Sequence, residues 1–268
     1  MTEPEFVRLD VEPPLGVITL SRPEKLNAWS WASARQLADR ADELRFDDRV
    51  RAVLVRAEGR AFCAGVDLGM PEDRITGRSP AEKTRNYYER FRWVHERFHV
   101  LTNLPQPVVV AVHGYCLGAG FELAMMADIR VAADDAVFAL PEATVGVGID
   151  SAGDLRLASE IGAGWTRLLA FTGRRIDADT ALRLGVVQEV VPVDELESHA
   201  RALCEEIAAN APLAVQAIKR TINFWAERGL AEATRFVAAS SAPNFVSDDM
   251  AEGYQAQAER RPVEFEGK

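Results

Sequence analysis

The stretch Pro107-Val-Val-Val-Ala-Val-His-Gly114-Tyr-Cys-Leu-Gly118-Ala-Gly120-Phe-Glu122-Leu-Ala-Met-Met126 decides the fold class. Val108 to Val112 is a short, unbroken apolar run of the kind that forms a buried strand. A turn punctuated by Gly114, Gly118 and Gly120 follows, and Phe121 to Met126 opens a helix. A strand that passes through a glycine turn into a helix start gathers backbone N–H groups, because the first four of a helix have no intrahelical partner.

Upstream, Phe6 to Val11 and Val17 to Leu20 read as two strands joined by a hairpin turn at Pro13-Pro14-Leu15-Gly16. Asn27 to Phe46 carries Trp31, Ala34, Leu37, Ala38, Ala41 and Leu44 at helical spacing, and Ala52 to Val55 is a buried-type strand. The glycine-punctuated loop from Glu58 to Gly69 is too long for a simple turn, and ordered loops of that kind often hold sites. After a connection at 71–79, Ser79-Pro80 starts a helix that should run to about Thr102, where Pro105 and Pro107 stop it.

Downstream, 127–133 and 136–140 read as strands. From Ser151 the pattern is helical, near 151–160, 163–171, 177–184, 194–209, 212–228, 230–240 and 247–260. The expectation is an α/β chain in which two strands and a helix recur without detectable sequence repeats, ending in a helical C-terminal part.

The 268 residues are 48% hydrophobic and 27% charged, which excludes intrinsic disorder and collagen-like architecture. A formal charge of −10 repels polyanions and argues against a nucleic-acid or membrane-surface partner. Cys63, Cys116 and Cys204 are an odd number without a C-x-x-C pair, the usage of a reducing compartment, and read as small core residues. Met1-Thr-Glu-Pro-Glu lacks a basic, then apolar, leader, and no uncharged run approaches the ~20 residues of a membrane span. A cytoplasmic protein is expected.

Gly118-Ala-Gly120 is only part of a dinucleotide fingerprint, since Leu123 stands where a third small residue is needed. Neither G-K-[ST] nor G-x-S-x-G occurs. His95-Glu96-Arg97-Phe98-His99 does fit H-E-x-x-H, the zinc hydrolase pattern. Its helix is loaded with Arg85, Arg90, Arg92 and Arg97, which oppose a dication. Only His113 and His199 remain as further imidazoles, so no metal is expected and two histidines on an amphipathic helix are the simpler reading.

Glu122 and Glu142 are more informative. Glu122 falls in the first turn of an apolar helix, where a carboxylate is costly unless partnered or used. Glu142 follows Pro141 at the end of an apolar strand and precedes a glycine-rich loop. A dipole-favoured charge and an exposed turn residue would explain either alone. Together they fit acid/base work better.

Four segments in order carry a resemblance over nearly the whole chain. They are Ser21-Arg-Pro23 with Leu26-Asn27-Ala28, Ala61-Phe-Cys-Ala-Gly65-Val-Asp67-Leu68, the stretch quoted first, and Ala139-Leu-Pro141-Glu142. Phe171-Thr-Gly173-Arg-Arg-Ile-Asp-Ala, Gly185-Val-Val and the tail from Phe245 to Arg261 continue it. In these motifs the chain resembles the crotonase superfamily, the enoyl-CoA hydratases and isomerases.

That resemblance implies a spiral of β-β-α units over 1–193 and a helical trimerisation region over 194–268, assembled as trimers or as hexamers built from two trimers. It implies an acyl-CoA thioester substrate, with coenzyme A part of that substrate and no separate cofactor. Val66 and Ala119 would supply the two N–H groups of an oxyanion hole. Lys25, Leu26, Ala64, Val66, Asp67, Leu68 and Ala119 match the stretches that cradle coenzyme A and substrate. Glu122 and Glu142 match the pair that holds water and relays its proton in hydratases, where hydration of a 2-enoyl-CoA serves fatty-acid β-oxidation.

One departure stands out. Where hydratases of the family carry Pro-Gly and further glycines, this chain reads Gly148-Ile-Asp150-Ser-Ala-Gly153-Asp154. Asp150 falls where dienoyl-CoA isomerases place a proton-moving aspartate, and Glu142 with Asp150 would then act as an isomerase pair. A helix N-cap role for Asp150 or Ser151 explains the residue types equally well.

Overall fold

The computed structural model describes residues 4–67, 69 and 76–268. β1 (Val7–Glu12) and β2 (Leu15–Leu20) pair antiparallel with Glu12 opposite Leu15. The turn is therefore Pro13-Pro14 alone, and Leu15 and Gly16, expected in the turn, begin the second strand. Burial of Leu15 in the core accounts for the extension. Parallel partners follow: β3 (Ala52–Ala57), β4 (Val108–Val112), β6 (Ile129–Ala133) and β9 (Glu189–Val191), giving a six-stranded sheet in the order β1-β2-β3-β4-β6-β9. A second sheet holds β5 (Tyr115–Leu117), β7 (Val137–Ala139) and β8 (Ile176–Asp177) in the order β5-β7-β8.

Strands buried on both faces need apolar residues at every position, which is why β4 reads as an uninterrupted valine run. One face of the large sheet is covered by α7 (Leu196–Ala208), whose Leu196, Ala200, Cys204 and Ala208 form a stripe four residues apart against Val17, Leu54, Val109 and Val131. This helix lies beyond residue 193 yet packs on the sheet, and Leu203 and Ile207 pack beside it. On the other face lie α1 (Trp31–Arg45), α2 (Pro80–Phe98) and α3 (Ala119–Ala124). All three cysteines are free and buried.

The helix expected from Asn27 starts at Trp31. Leu26 and Asn27 adopt left-handed backbone (φ 52° and 53°), and the Ser30 side chain accepts from Ser33 N–H as an N-cap. α2 starts as expected with Ser79 capping the Glu82 N–H but ends at Phe98, four residues early. α4 (Gly153–Ile161), α5 (Ala163–Thr172), α6 (Ala178–Leu184), α8 (Pro212–Arg228), α9 (Leu230–Ser241) and α10 (Asp248–Glu259) lie within two residues of expectation. β5 falls in the stretch whose glycines predict a turn, and β8 and β9 in the region whose pattern predicts helix. At two or three residues each they are too short to show a period.

Backbone pairing also orders the 58–69 loop. Cys63 N–H donates to Tyr115 O (3.0 Å), Leu117 N–H to Cys63 O (2.9 Å), Trp29 N–H to Gly65 O (2.7 Å) and Asp67 N–H to Trp29 O (2.8 Å). The loop is thus an extra edge of the small sheet, lying directly beside the glycine turn. Elsewhere two buried cations are fully partnered. Arg130 bonds Glu160 and the carbonyls of Val186 and Ala127. Lys219 of α8 meets Asp128 Oδ2 at 2.7 Å and the carbonyls of Gln106 (2.9 Å) and Leu101 (3.3 Å). Among the described residues no helix is long and apolar enough to cross a membrane.

Candidate active site

The glycine turn is shaped by close approach. Gly118 has φ +50°, and a Cβ there would lie 2.8 Å from Glu142 Oε1. A Cβ on Gly120 would lie 2.4 Å from Cys63 O, so α3 begins hard against the 58–69 loop. Val66 and Ala119 are brought to this junction, and among the described residues neither N–H has a hydrogen-bond partner. Two main-chain donors beside each other at a helix start suit an oxygen that gains negative charge.

Of the other loop residues, Leu26 O accepts from Ala64 N–H (3.0 Å), joining the first loop to the second, and Lys25 is exposed beside it. Asp67 turns to Arg22 (Nη1 to Oδ2, 2.7 Å) and accepts from Gly69 N–H. Burial works to raise its carboxyl, but those two donors outweigh it and hold it below the ordinary range. Asp67 therefore braces the loop. Leu68 lies outside the described residues. The sequence reading missed Asn27 as a brace: its Oδ1 accepts from Arg22 N–H (2.8 Å), while Nδ2 donates to Glu58 O and Ala61 O. Its left-handed φ gives no signal in the sequence beyond residue type.

Glu122, Glu142 and Asp150 are gathered into one cluster. Glu122, 2% exposed on α3, accepts at Oε2 from Ser151 N–H (3.1 Å) and Gly153 N–H (3.2 Å). Burial, then the nearby Asp150 and Glu142, push its carboxyl up to about 8 despite those two bonds. Glu142 stands in the 3-10 turn Glu142–Val145 after β7, and its Oε2 is buried with no partner among the described residues. Burial, then Asp150 and Asp154, raise it too. Asp150 is raised by burial, with the Ser151 hydroxyl and His95 ring pulling the other way.

Neither Asp150 nor Ser151 caps a helix. Ala152 in left-handed backbone is the N-cap of α4, and the Ser151 hydroxyl instead donates to Asp150 Oδ1 (3.2 Å). Gly153, overlooked in the sequence, is required: a Cβ there would lie 2.6 to 2.7 Å from the Glu122 side chain and backbone.

The H-E-x-x-H histidines sit at the end of α2. His95 Nε2 meets the Asp150 carbonyl, and His99 is lowered by burial and by Arg156 and His95. Arg97, expected to oppose a dication within the motif, lies over the Trp93 ring at 3.7 Å, and Arg156 is the cation that acts on His99. Among the described residues no group of three or more His, Cys, Asp or Glu is placed to hold a metal ion.

The chain is 31% identical to a Delta(3,5)-Delta(2,4)-dienoyl-CoA isomerase of Dictyostelium discoideum, over 99% of this chain and 92% of that one. It is 36% identical to a carnitinyl-CoA dehydratase of Escherichia coli, over 94% of both chains. It superposes on the crystal structure of an enoyl-CoA hydratase from Bacillus anthracis with a TM-score of 0.89 and 31% identity, covering 98% of this chain and all of that one. These relatives are all named for acyl-CoA compounds but for different reactions. A family model described as enoyl-CoA hydratase/isomerase matches residues 11–268, and the chain belongs to that family.

Proposed function

We propose that the protein is an enoyl-CoA hydratase that adds water in syn fashion across the double bond of a 2-enoyl-CoA thioester. The observation that carries this reading is the pair of desolvated carboxyls, Glu122 pushed up to about 8 and Glu142 with a buried, unpartnered oxygen. At neutral pH Glu122 holds the shared proton, and Glu142 Oε2 accepts a hydrogen from the attacking water, so an acid and a base stand on one side of the substrate. The thioester oxygen is received by the Val66 and Ala119 N–H groups, where one such donor is typically worth about 3–4 kcal/mol of barrier as the enolate forms. Lys25, Leu26 and Ala64 would flank the coenzyme A portion. The reaction so drawn needs no further cofactor.

Glu122→Gln and Glu142→Gln should each lower crotonyl-CoA hydration, followed by loss of enoyl absorbance, by a factor on the order of 10² or more. Retention of wild-type turnover by either variant overturns the assignment. The presence of Asp150 in the same cluster favours a second reading, isomerisation of a dienoyl-CoA by Glu142 and Asp150 at opposite ends of the conjugated chain. Rapid turnover of a 3,5-dienoyl-CoA with poor hydration of crotonyl-CoA would select it.

A trimer or hexamer is the assembly we infer. Support comes from Ile218, Trp225, Leu230, Phe245 and Tyr254, large apolar side chains left exposed on the C-terminal helices. A monomeric mass by light scattering at micromolar concentration would contradict it.

A further inference from the structure

We infer that His95 is a positioning residue of this site, donating its Nε2–H to the Asp150 carbonyl and so fixing the 149–153 loop that grips Glu122. The inference rests on the proposed acid/base role of Glu122. Three hydrogen bonds tie one short loop to its surroundings, and a fourth lies within it. From outside, α2 supplies the His95 ring to Asp150 O. From inside, the Ser151 and Gly153 N–H groups hold Glu122 Oε2, and the Ser151 hydroxyl holds the Asp150 carboxylate. Gly153 lets the loop lie against Glu122 without an intervening side chain. The loop also contains Ala152 in left-handed backbone, a conformation that costs a non-glycine residue energy and persists only where the surroundings impose it. His95 is the attachment that α2 supplies, and the zinc motif is thereby given another use.

The consequence is electrostatic as well as steric. Glu122 is faced by Asp150 on the loop and Glu142 on the turn after β7, both of which favour its protonated form, and by the two N–H groups, which favour its ionised form. His95 is faced by Asp150, and by His99 on its own helix, on which Arg156 of α4 and Glu227 of α8 act. Loosening the loop breaks the two N–H bonds, which depend steeply on distance and angle, before it weakens the longer-range repulsion from Asp150 and Glu142, so Glu122 should hold its proton to higher pH.

The test uses the full-length protein. His95→Leu keeps an apolar body on α2 but deletes the donor, and His95→Gln restores an amide N–H at the same reach. Expected for His95→Leu are a fall in kcat on the order of tenfold, KM changed less than about twofold, and movement of the alkaline limb of the pH–rate profile to higher pH. His95→Gln should return both kcat and the limb toward wild type. Two nuclear magnetic resonance readouts stand apart from activity. ¹⁵N spectra of His95 should show the Nε2–H tautomer, and ¹³C titration of Glu122 should move upward in His95→Leu. An Nδ1–H tautomer, an unmoved Glu122 titration, or a Gln variant as impaired as the Leu variant overturns the positioning role. If the protein turns out not to hydrate enoyl-CoA while the Glu122 titration still shifts, the positioning stands and the proposed reaction falls.

Discussion

Two of the described regions of this molecule bury charge in opposite ways. Behind β4 and β6, Lys219 is set against Asp128 and Arg130 against Glu160, and each cation also donates to backbone carbonyls. At the glycine turn, Glu122, Glu142 and Asp150 are set against one another, and Glu122 is offset only by main-chain N–H groups. Paired charge of the first kind returns the desolvation it costs through Coulomb attraction and hydrogen bonds, so it holds elements together. Like charge of the second kind returns nothing to the fold. It leaves protons loosely assigned near neutral pH, which is what acid/base chemistry requires.

The paired region cannot lose a partner cheaply. Lys219→Met deletes the cation and leaves Asp128 with the Val108 N–H as its remaining donor. Because one partner of a half-buried pair is then unmatched, unfolding free energy should fall by about 3 kcal/mol. Turnover per folded molecule should be unchanged, since the lysine contacts only the segments joining α2, β4 and β6. Denaturant titration alongside an activity assay checks both. A loss below about 1 kcal/mol would mean that the pair adds nothing to the fold.

The next test reverses the sign. Glu122 is raised from 4.5 in the unfolded chain to about 8 in the folded one, so between those values the native state binds more protons. Stability is therefore fullest below about pH 4.5 and drains away as pH rises through about 8. Glu122→Gln cannot ionise and can still accept both N–H bonds. It should match wild type near pH 5 and exceed it at pH 9 by on the order of 4 kcal/mol. Parallel stability–pH curves for the two proteins would show that the carboxylate costs the fold nothing.

The two regions also differ in how far the sequence announces them. The valine run of β4 and the helices near 194–209 and 212–228 were legible because apolar runs and helical spacing report burial directly, whereas the packing of α7 on the sheet was not. Glu122 was legible for the same reason in reverse, as a charge where the pattern calls for an apolar residue. The braces were not. Asn27, Gly153 and the pairing of Asp67 with Arg22 depend on contacts between segments distant in sequence or on a backbone angle, and neither leaves a period. His95 was visible only as half of a metal pattern, because its true partner is a carbonyl 55 residues away, and a carbonyl has no letter in the sequence. Lys219 gave no signal either: a lone lysine in an amphipathic helix reads as solvated.

The smallest effect is the most discriminating. Asp150 contributes to the cluster in two ways, through a carbonyl that His95 holds and through a carboxylate that repels the Glu122 charge. Asp150→Asn keeps the first and removes the second. With that repulsion gone, Glu122 should give up its proton at lower pH, moving the alkaline limb of the hydration profile down, opposite in direction to His95→Leu. Because Glu122 and Glu142 remain in place, turnover at neutral pH should change by less than about tenfold, or about 1.4 kcal/mol of barrier. The pH profiles of the two variants, measured on one substrate, separate charge from position. If Asp150→Asn instead abolishes turnover of a 3,5-dienoyl-CoA that the wild type processes readily, the carboxylate is itself moving a proton of the substrate. The uncompensated cluster then works with Glu142 and Asp150 as its acid and base, and isomerisation replaces hydration as the reaction.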